Sequence, residues 1–238
     1  KTNDMNNWEE DINIWNESFK NLNVYSGEVP PEIFNWAKDV VYKTKQAKNL
    51  QEDKLVYTPP LDLIGHLSEE YTIDPNTPNF REYELYLESC ALSSTFDKYW
   101  NENITLSDNR NLKIASSWIN FQKKYDFNPL HVHSGLMSWV IFIKIPYNLN
   151  DELKVYNPFD SLSKDNENLN KRLTSKFCFM FPTHQRGGIG SIVLNVDKSY
   201  EGKMILFPAD LNHTVYPFYT SDDYRITISG NLIFDVTN

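Results

Sequence analysis

NPLHVHSGLMSWVIFIKIP, residues 128–146, decides how the rest of the chain reads. His131 and His133 stand two residues apart at the mouth of a long apolar run, in a chain with only five histidines. Successive side chains of a strand point to opposite faces, so residues i and i+2 share one. If this stretch is a strand, both imidazoles face one spot, and that geometry suits a metal ion. The reading then needs a sheet to carry the pair and a third ligand to complete it.

The sheet is legible on both sides of the pair. From about residue 112 the apolar residues fall into short aromatic or β-branched runs: LKIASSWINFQKKYDF (112–127), LMSWVIFIKIP (136–146), SKFCFMF (175–181), GSIVLNV (190–196), KMILFPA (203–209), HTVYPFY (213–219) and YRITISGNLIFDV (224–236). Short strands without intervening helices imply an antiparallel sandwich or barrel. Upstream the period is helical. PPEIFNWAKDVVYKTKQ (30–46) sets Ile33, Trp36, Ala37, Val40 and Val41 on one face, with Pro30 and Pro31 suited to its first turn. FREYELYLESCALSSTFDKYW (80–100) does the same with Phe80, Tyr83, Leu87, Cys90 and Ala91. The expected fold class is α+β: a jelly roll with N-terminal helices packed against it. It forms a single domain over 1–238, with 1–110 as mainly helical support and 111–238 as the core.

With 238 residues and 40% hydrophobic composition, the chain is long enough for one sizeable core. A formal net charge of -9 argues against a generic nucleic-acid binder, which needs a basic face. No apolar run approaches a membrane span. Two cysteines, Cys90 and Cys178, read as buried free thiols in a reducing, cytoplasmic setting. His66, in a Pro-rich stretch, reads as an ordinary loop histidine. The charged, Asn-rich segment 148–175 reads as a surface loop, a lid over the site. HQRGGIG (184–190) lacks the Lys-Ser/Thr end of a phosphate loop and reads as a flexible loop at the substrate mouth.

His213, in LFPADLNHTVYPF (206–218), is the third candidate ligand, and Arg225 follows twelve residues later (225 − 213). Two ligands on one strand and one on a later strand make a facial site that leaves positions open for a chelating co-substrate and O₂. An Arg offers an ionised fork matched to a carboxylate, and Thr227, on the same strand face, adds a hydroxyl donor. The plainer reading of Arg225 is a surface residue paired with Asp222 or Asp223. Its spacing from His213 and the following Thr favour the site. Trp118 and Asn120 share a strand face and line the pocket, or Trp118 is simply core. Ser138 begins the strand after the His pair and is a candidate co-substrate contact.

The order H-x-D/E, then a distant His, then R-x-S/T resembles the signature of the 2-oxoglutarate/Fe(II)-dependent oxygenases, and in particular the branch common in marine bacteria and their phages. The resemblance runs from about Trp118 to Asn231. It rests on WIN (118–120), NPLHVH (128–133), SWVIFIKIP (138–146), GKMILFPADLNHTVYP (202–217) and RITISGN (225–231). It implies a double-stranded β-helix, with Fe(II) and 2-oxoglutarate as cofactors. It further implies oxidative decarboxylation of 2-oxoglutarate to succinate and CO₂, coupled to hydroxylation of a substrate. His131 and His213 would hold the iron, and Arg225 with Thr227 would bind the distal carboxylate, with Asn120 and Ser138 as further contacts. O₂ and an unidentified substrate are the other expected partners; oligomeric state is open.

One position departs from that signature: the acid two residues after the first His is here His133. Either three histidines bind the metal, or a carboxylate such as Asp210 or Asp126 completes a two-His set, or the pair is a hydrogen-bonded core feature without metal. Three imidazoles make a set one charge more positive than two imidazoles and a carboxylate. Two functional alternatives stand beside the oxygenase. One is a cupin-like three-His metalloenzyme that does not use 2-oxoglutarate; the other is a non-enzymatic jelly roll, a binding module or virion protein.

Overall fold

The computed structural model describes residues 6–49, 67–93, 111–155, 173–183 and 187–235. In chain order the elements are α1 (Asn7–Asn21), β1 (Tyr25–Glu28), α2 (Pro31–Asn49), β2 (Glu69–Thr72), α3 (Phe80–Ser93), β3 (Leu112–Gln122), β4 (Asn128–His131), β5 (Met137–Lys144), α4 (Leu149–Val155), β6 (Phe177–Pro182), β7 (Ile189–Leu194), β8 (Lys203–Pro208), β9 (His213–Val215) and β10 (Arg225–Phe234). Two antiparallel sheets face each other. One runs β1-β8-β5-β10-β3-β2 and the other β4-β9-β6-β7.

Period-two alternation assigns the two faces of the large sheet. Ile119 and Phe121 of β3, and Ile226 and Ile228 of β10, join the core formed with α2 and α3. The residues between them, Trp118, Asn120 and Gln122 on β3 and Arg225, Thr227 and Ser229 on β10, line a cavity between the sheets. The outer core takes Ile33, Ala37, Val40 and Val41 from α2, and Phe80, Tyr83, Leu87, Cys90 and Ala91 from α3. The helical faces read from the sequence are therefore the buried ones, with Trp36 packed at the margin. A second core fills the space between the sheets with Phe142, Phe177, Phe179, Ile205 and Phe207, and extends to Trp8 and Phe19 of α1.

The α+β architecture agrees with the sequence reading, with one difference. The N-terminal part is not only helical: it contributes β1 and β2, which pair with β8 and β3 and form the two edges of the large sheet. Four-residue strands are too short to show alternation, so helical periodicity around them dominated the reading. Cys90 and Cys178 are both buried and free, as expected. His66 and most of the 148–175 segment lie outside the described residues; the described flanks are α4 and a turn at 173–175. No described helix is long and apolar enough to cross a membrane.

Gly230 shows how tightly β10 is seated. A Cβ there would lie 2.4 Å from the Ser116 carbonyl oxygen and 2.4 Å from the Trp139 ring. The backbone oxygen cannot yield, and Trp139 is fixed by an indole N–H that donates to Tyr83 Oη at 2.8 Å. Gly230→Ala is therefore expected to destabilise the fold by about 1–3 kcal/mol through overpacking, read as a lower urea midpoint with an unchanged m-value.

Candidate functional site

The metal-ligand candidates meet because of one register. β4 and β9 pair antiparallel with His131 opposite His213, and cross-strand partners on one face bring their Cβ atoms together. His133 lies just past β4, and its backbone N–H donates to Ala209 O at 2.8 Å. That bond returns the chain to the β8–β9 turn and keeps the third imidazole beside the other two. Ring centroids are 4.2 Å apart for His131 and His213, 4.9 Å for His131 and His133, and 5.0 Å for His133 and His213. One ligand nitrogen from each lies within 4.8 Å of the others. Three nitrogens at ~2.1 Å from one ion at right angles lie about 3 Å apart, so each must move inward by about 1 Å at most.

Two of the rings are oriented from behind. His131 Nδ1 lies 2.6 Å from Pro129 O, and His213 Nδ1 lies 2.9 Å from Leu211 O. A backbone carbonyl can only accept, so each Nδ1 carries the proton and each Nε2 keeps its lone pair for a metal. Burial pushes all three imidazoles below their ordinary range, His133 to about 4, and neighbouring histidines add to the shift of His133 and His213. The trio is thus neutral at pH 7, the state a metal requires.

The carboxylate alternatives lie elsewhere. Asp126 Oδ2 accepts from the backbone N–H groups of Ser68 and Lys123, at 2.8 and 2.9 Å, and Oδ1 accepts from Ser68 Oγ. Asp210 is exposed. Among the described residues no carboxylate joins the three histidines in a metal-sized cluster.

Arg225 is almost wholly buried, at 2% exposure, and lines the same cavity. Asp222 and Asp223 instead pair with Lys124 and Lys144. Among the described residues all the hydrogen-bond partners of Arg225 are neutral. Nε donates to Gln122 Oε1 at 2.8 Å, Nη1 to Tyr147 Oη at 3.3 Å and Ser175 O at 3.1 Å, and Nη2 to Tyr216 O at 3.0 Å. A guanidinium has five N–H bonds, so one Nη2 hydrogen remains. The open fork expected from the sequence is therefore largely committed to the protein.

The missing donors stand next to it. Gln122, opposite Arg225 in register, is 3% exposed, and its Nε2 is a buried donor without a partner among the described residues. Thr227 Oγ1 accepts from Asn120 Nδ2 at 3.1 Å, which leaves its own hydroxyl hydrogen to give. Asn120 also lines the cavity, with Oδ1 unpartnered. Trp118 packs against His133 at 5.6 Å between ring centroids, so it belongs to the site wall. Ser138 does not line the cavity. Its hydroxyl donates to Asn231 Oδ1 at 2.6 Å, which makes it a strand-to-strand tie. Sequence reading passed over Gln122, although the alternation that selected Trp118 and Asn120 also selects it. Tyr147 and Ser175 carry no local signal. The 184–186 part of HQRGGIG lies outside the described residues.

The cavity thus holds a trio of neutral imidazoles and a buried cation with no anionic hydrogen-bond partner among the described residues, with donors around it. Residues 116–231 match the family model described as "Putative 2OG-Fe(II) oxygenase". That region contains both sheets' central strands and all three histidines, and through it the chain is similar to the 2-oxoglutarate/Fe(II)-dependent oxygenases. No curated protein matches it in sequence. In fold it is similar to AviO1 from Streptomyces viridochromogenes, with a TM-score of 0.52, 10% identity, 93% of this chain and 93% of that one covered. It also aligns with a prolyl hydroxylase in complex with a hypoxia inducible factor peptide fragment from Trichoplax adhaerens. There the TM-score is 0.48 and identity 11%, with 97% and 94% covered.

The histidine shifts give a pH prediction. An unfolded imidazole takes up its proton near 6.5, while folded His133 resists until about 4. Between those values the unfolded state binds more protons, so folding stability falls as pH drops below 6.5 and the loss is complete below about 4. The metal-free protein should lose denaturation midpoint from pH 7 to pH 5, and His133→Asn should lose measurably less over the same interval.

Proposed function

We propose that His131, His133 and His213 hold one Fe(II), and that Arg225, Gln122 and Thr227 hold the distal carboxylate of 2-oxoglutarate. The enzyme then hydroxylates a substrate that enters the same cavity. The observation that carries this reading is the meeting, in one cavity, of three neutral imidazoles with a buried guanidinium that has no anionic partner among the described residues. Burying a lone charge is costly unless something compensates it, and a dicarboxylate is the compensation the family's co-substrate supplies.

Each residue has a task. The Pro129 and Leu211 carbonyls hold His131 and His213 in the tautomer that leaves Nε2 free. Gln122 accepts from Arg225 Nε through Oε1 and turns Nε2 to the carboxylate. The remaining Nη2 hydrogen of Arg225 and the Thr227 hydroxyl complete a composite cradle in place of a bidentate fork. Bound Fe(II) with 2-oxoglutarate supplies the oxidising power, and the aromatic wall of Trp118, Phe177 and Phe207 keeps water from the site. A three-His cupin without 2-oxoglutarate has no use for a buried cation in this cavity, so Arg225 favours the oxygenase.

Calorimetric titration of 2-oxoglutarate into anaerobic, iron-loaded protein tests the cradle. Arg225→Ala should weaken binding by about 2–5 kcal/mol, the cost of removing one partner of a buried charged contact. Gln122→Glu keeps the acceptor for Arg225 but replaces the donor with a second negative oxygen, so affinity should fall at least about tenfold. Iron content by elemental analysis should stay near one per chain in both variants and drop in His213→Ala. Equal 2-oxoglutarate affinity in wild type and Arg225→Ala would sink the proposal.

A further inference from the structure

One wall of the cavity offers acceptors where the Arg225 end offers donors. Glu70 lies on β2, the edge strand of the large sheet, directly opposite Asn120 of β3. Alternation sends the two side chains to the same face, and both line the cavity. Its neighbours show the contrast. Tyr71 faces the helical core. Glu69 accepts from Tyr224 Oη at 2.8 Å and lies 3.9 Å from Lys123 Nζ. Glu70 has no hydrogen-bond or ion-pair partner among the described residues. Asn120, 5% exposed, commits Nδ2 to the hydroxyls of Thr227 and Ser229 and leaves Oδ1 as a buried acceptor without a donor among the described residues.

We propose that Glu70 and Asn120 Oδ1 form a subsite for a cationic nitrogen of the substrate, an ammonium or guanidinium group. This rests on the oxygenase reading of the same cavity. A carboxylate beside a lone carbonyl oxygen calls for a partner that is both positive and rich in N–H bonds, and a cationic nitrogen is both. A neutral hydroxyl or amide would satisfy the carbonyl but leave the carboxylate's charge uncompensated. Burial pushes the Glu70 carboxyl up to about 7, with no hydrogen bond or charge acting against it, so a cation there relieves an existing penalty. The subsite lies two residues along β3 from Trp118, which packs on His133. On a strand that is about 7 Å, so the nitrogen anchors the substrate at a distance and leaves its carbon skeleton to reach the metal.

The test uses the full chain loaded with Zn(II), a redox-silent ion suited to imidazole ligands, with 2-oxoglutarate present. Ligand-observed NMR titrations compare n-butylammonium with n-butanol, and methylguanidinium with N-methylurea. One cation should bind at least about tenfold tighter than its neutral partner, the size of one charge-assisted hydrogen bond. The pair that shows the preference identifies the nitrogen. In Glu70→Gln, which keeps shape and size, the preference should fall below about twofold while 2-oxoglutarate affinity stays at the wild-type value. No preference in either pair, no binding of any probe, or a preference that survives in Glu70→Gln overturns the subsite. Failure of the wild type to bind 2-oxoglutarate overturns the oxygenase reading instead, and the probe titration with metal alone then decides the subsite separately.

Discussion

A guanidinium buried to 2% exposure, whose hydrogen-bond partners among the described residues are all neutral, constrains everything around it. Arg225 is the first residue of β10, and its bonds reach Gln122 at the end of β3, Tyr147 beyond β5, Ser175 before β6 and Tyr216 beyond β9. Those four points belong to both sheets, so one side chain closes the cavity end by tying the sandwich together. Four hydrogen bonds to neutral groups offset part of the desolvation cost but do not cancel the charge. The closed end of the cavity is therefore positive in the folded protein before any ligand arrives. Stability and the proposed ligand choice share one contact: the described residues offset the Arg225 charge only in part, and an anion would complete the work.

The opposite end is built with no fixed charge. His131, His133 and His213 are neutral when buried, and no described carboxylate joins them. A bound divalent ion would keep its full charge there, whereas a set with one carboxylate ligand would lower it by one. In the proposed arrangement a dianionic co-substrate would lie between a full cation at the metal end and a guanidinium at the other. A three-His set would therefore favour co-substrate binding, and would leave the metal a poorer electron donor than a carboxylate-bearing set.

The three-histidine cluster was legible because its geometry is local in two places. An i, i+2 pair shares a strand face from sequence alone, and only His213, which the β4–β9 register places opposite His131, needed long-range information. Arg225 and Thr227 were legible for the same reason, as alternating residues of one strand. What was missed is non-local. Glu70 reaches the cavity from β2, a four-residue strand too short for a periodic signal, and Tyr147 and Ser175 reach Arg225 through loops. Ser138 was misplaced for a related reason: alternation names the face of a residue, but not where along that face the cavity stops. The choice among His133, Asp126 and Asp210 could not be made by spacing either. It depends on Asp126 being consumed by the Ser68 and Lys123 amides and on Asp210 facing solvent.

The division between shared and particular chemistry follows the same line. Every group proposed for metal or co-substrate, from Gln122 to Thr227, falls within the 116–231 region that matches the family model. Glu70 falls outside it, on a strand that the N-terminal part adds to the sheet edge. An edge strand can be exchanged or re-registered without disturbing β3, β10 or the β4–β9 pair, because each of those is held by its other neighbour. In the proposed reading the central strands would carry the reaction, and β2 would be free to carry recognition of the substrate.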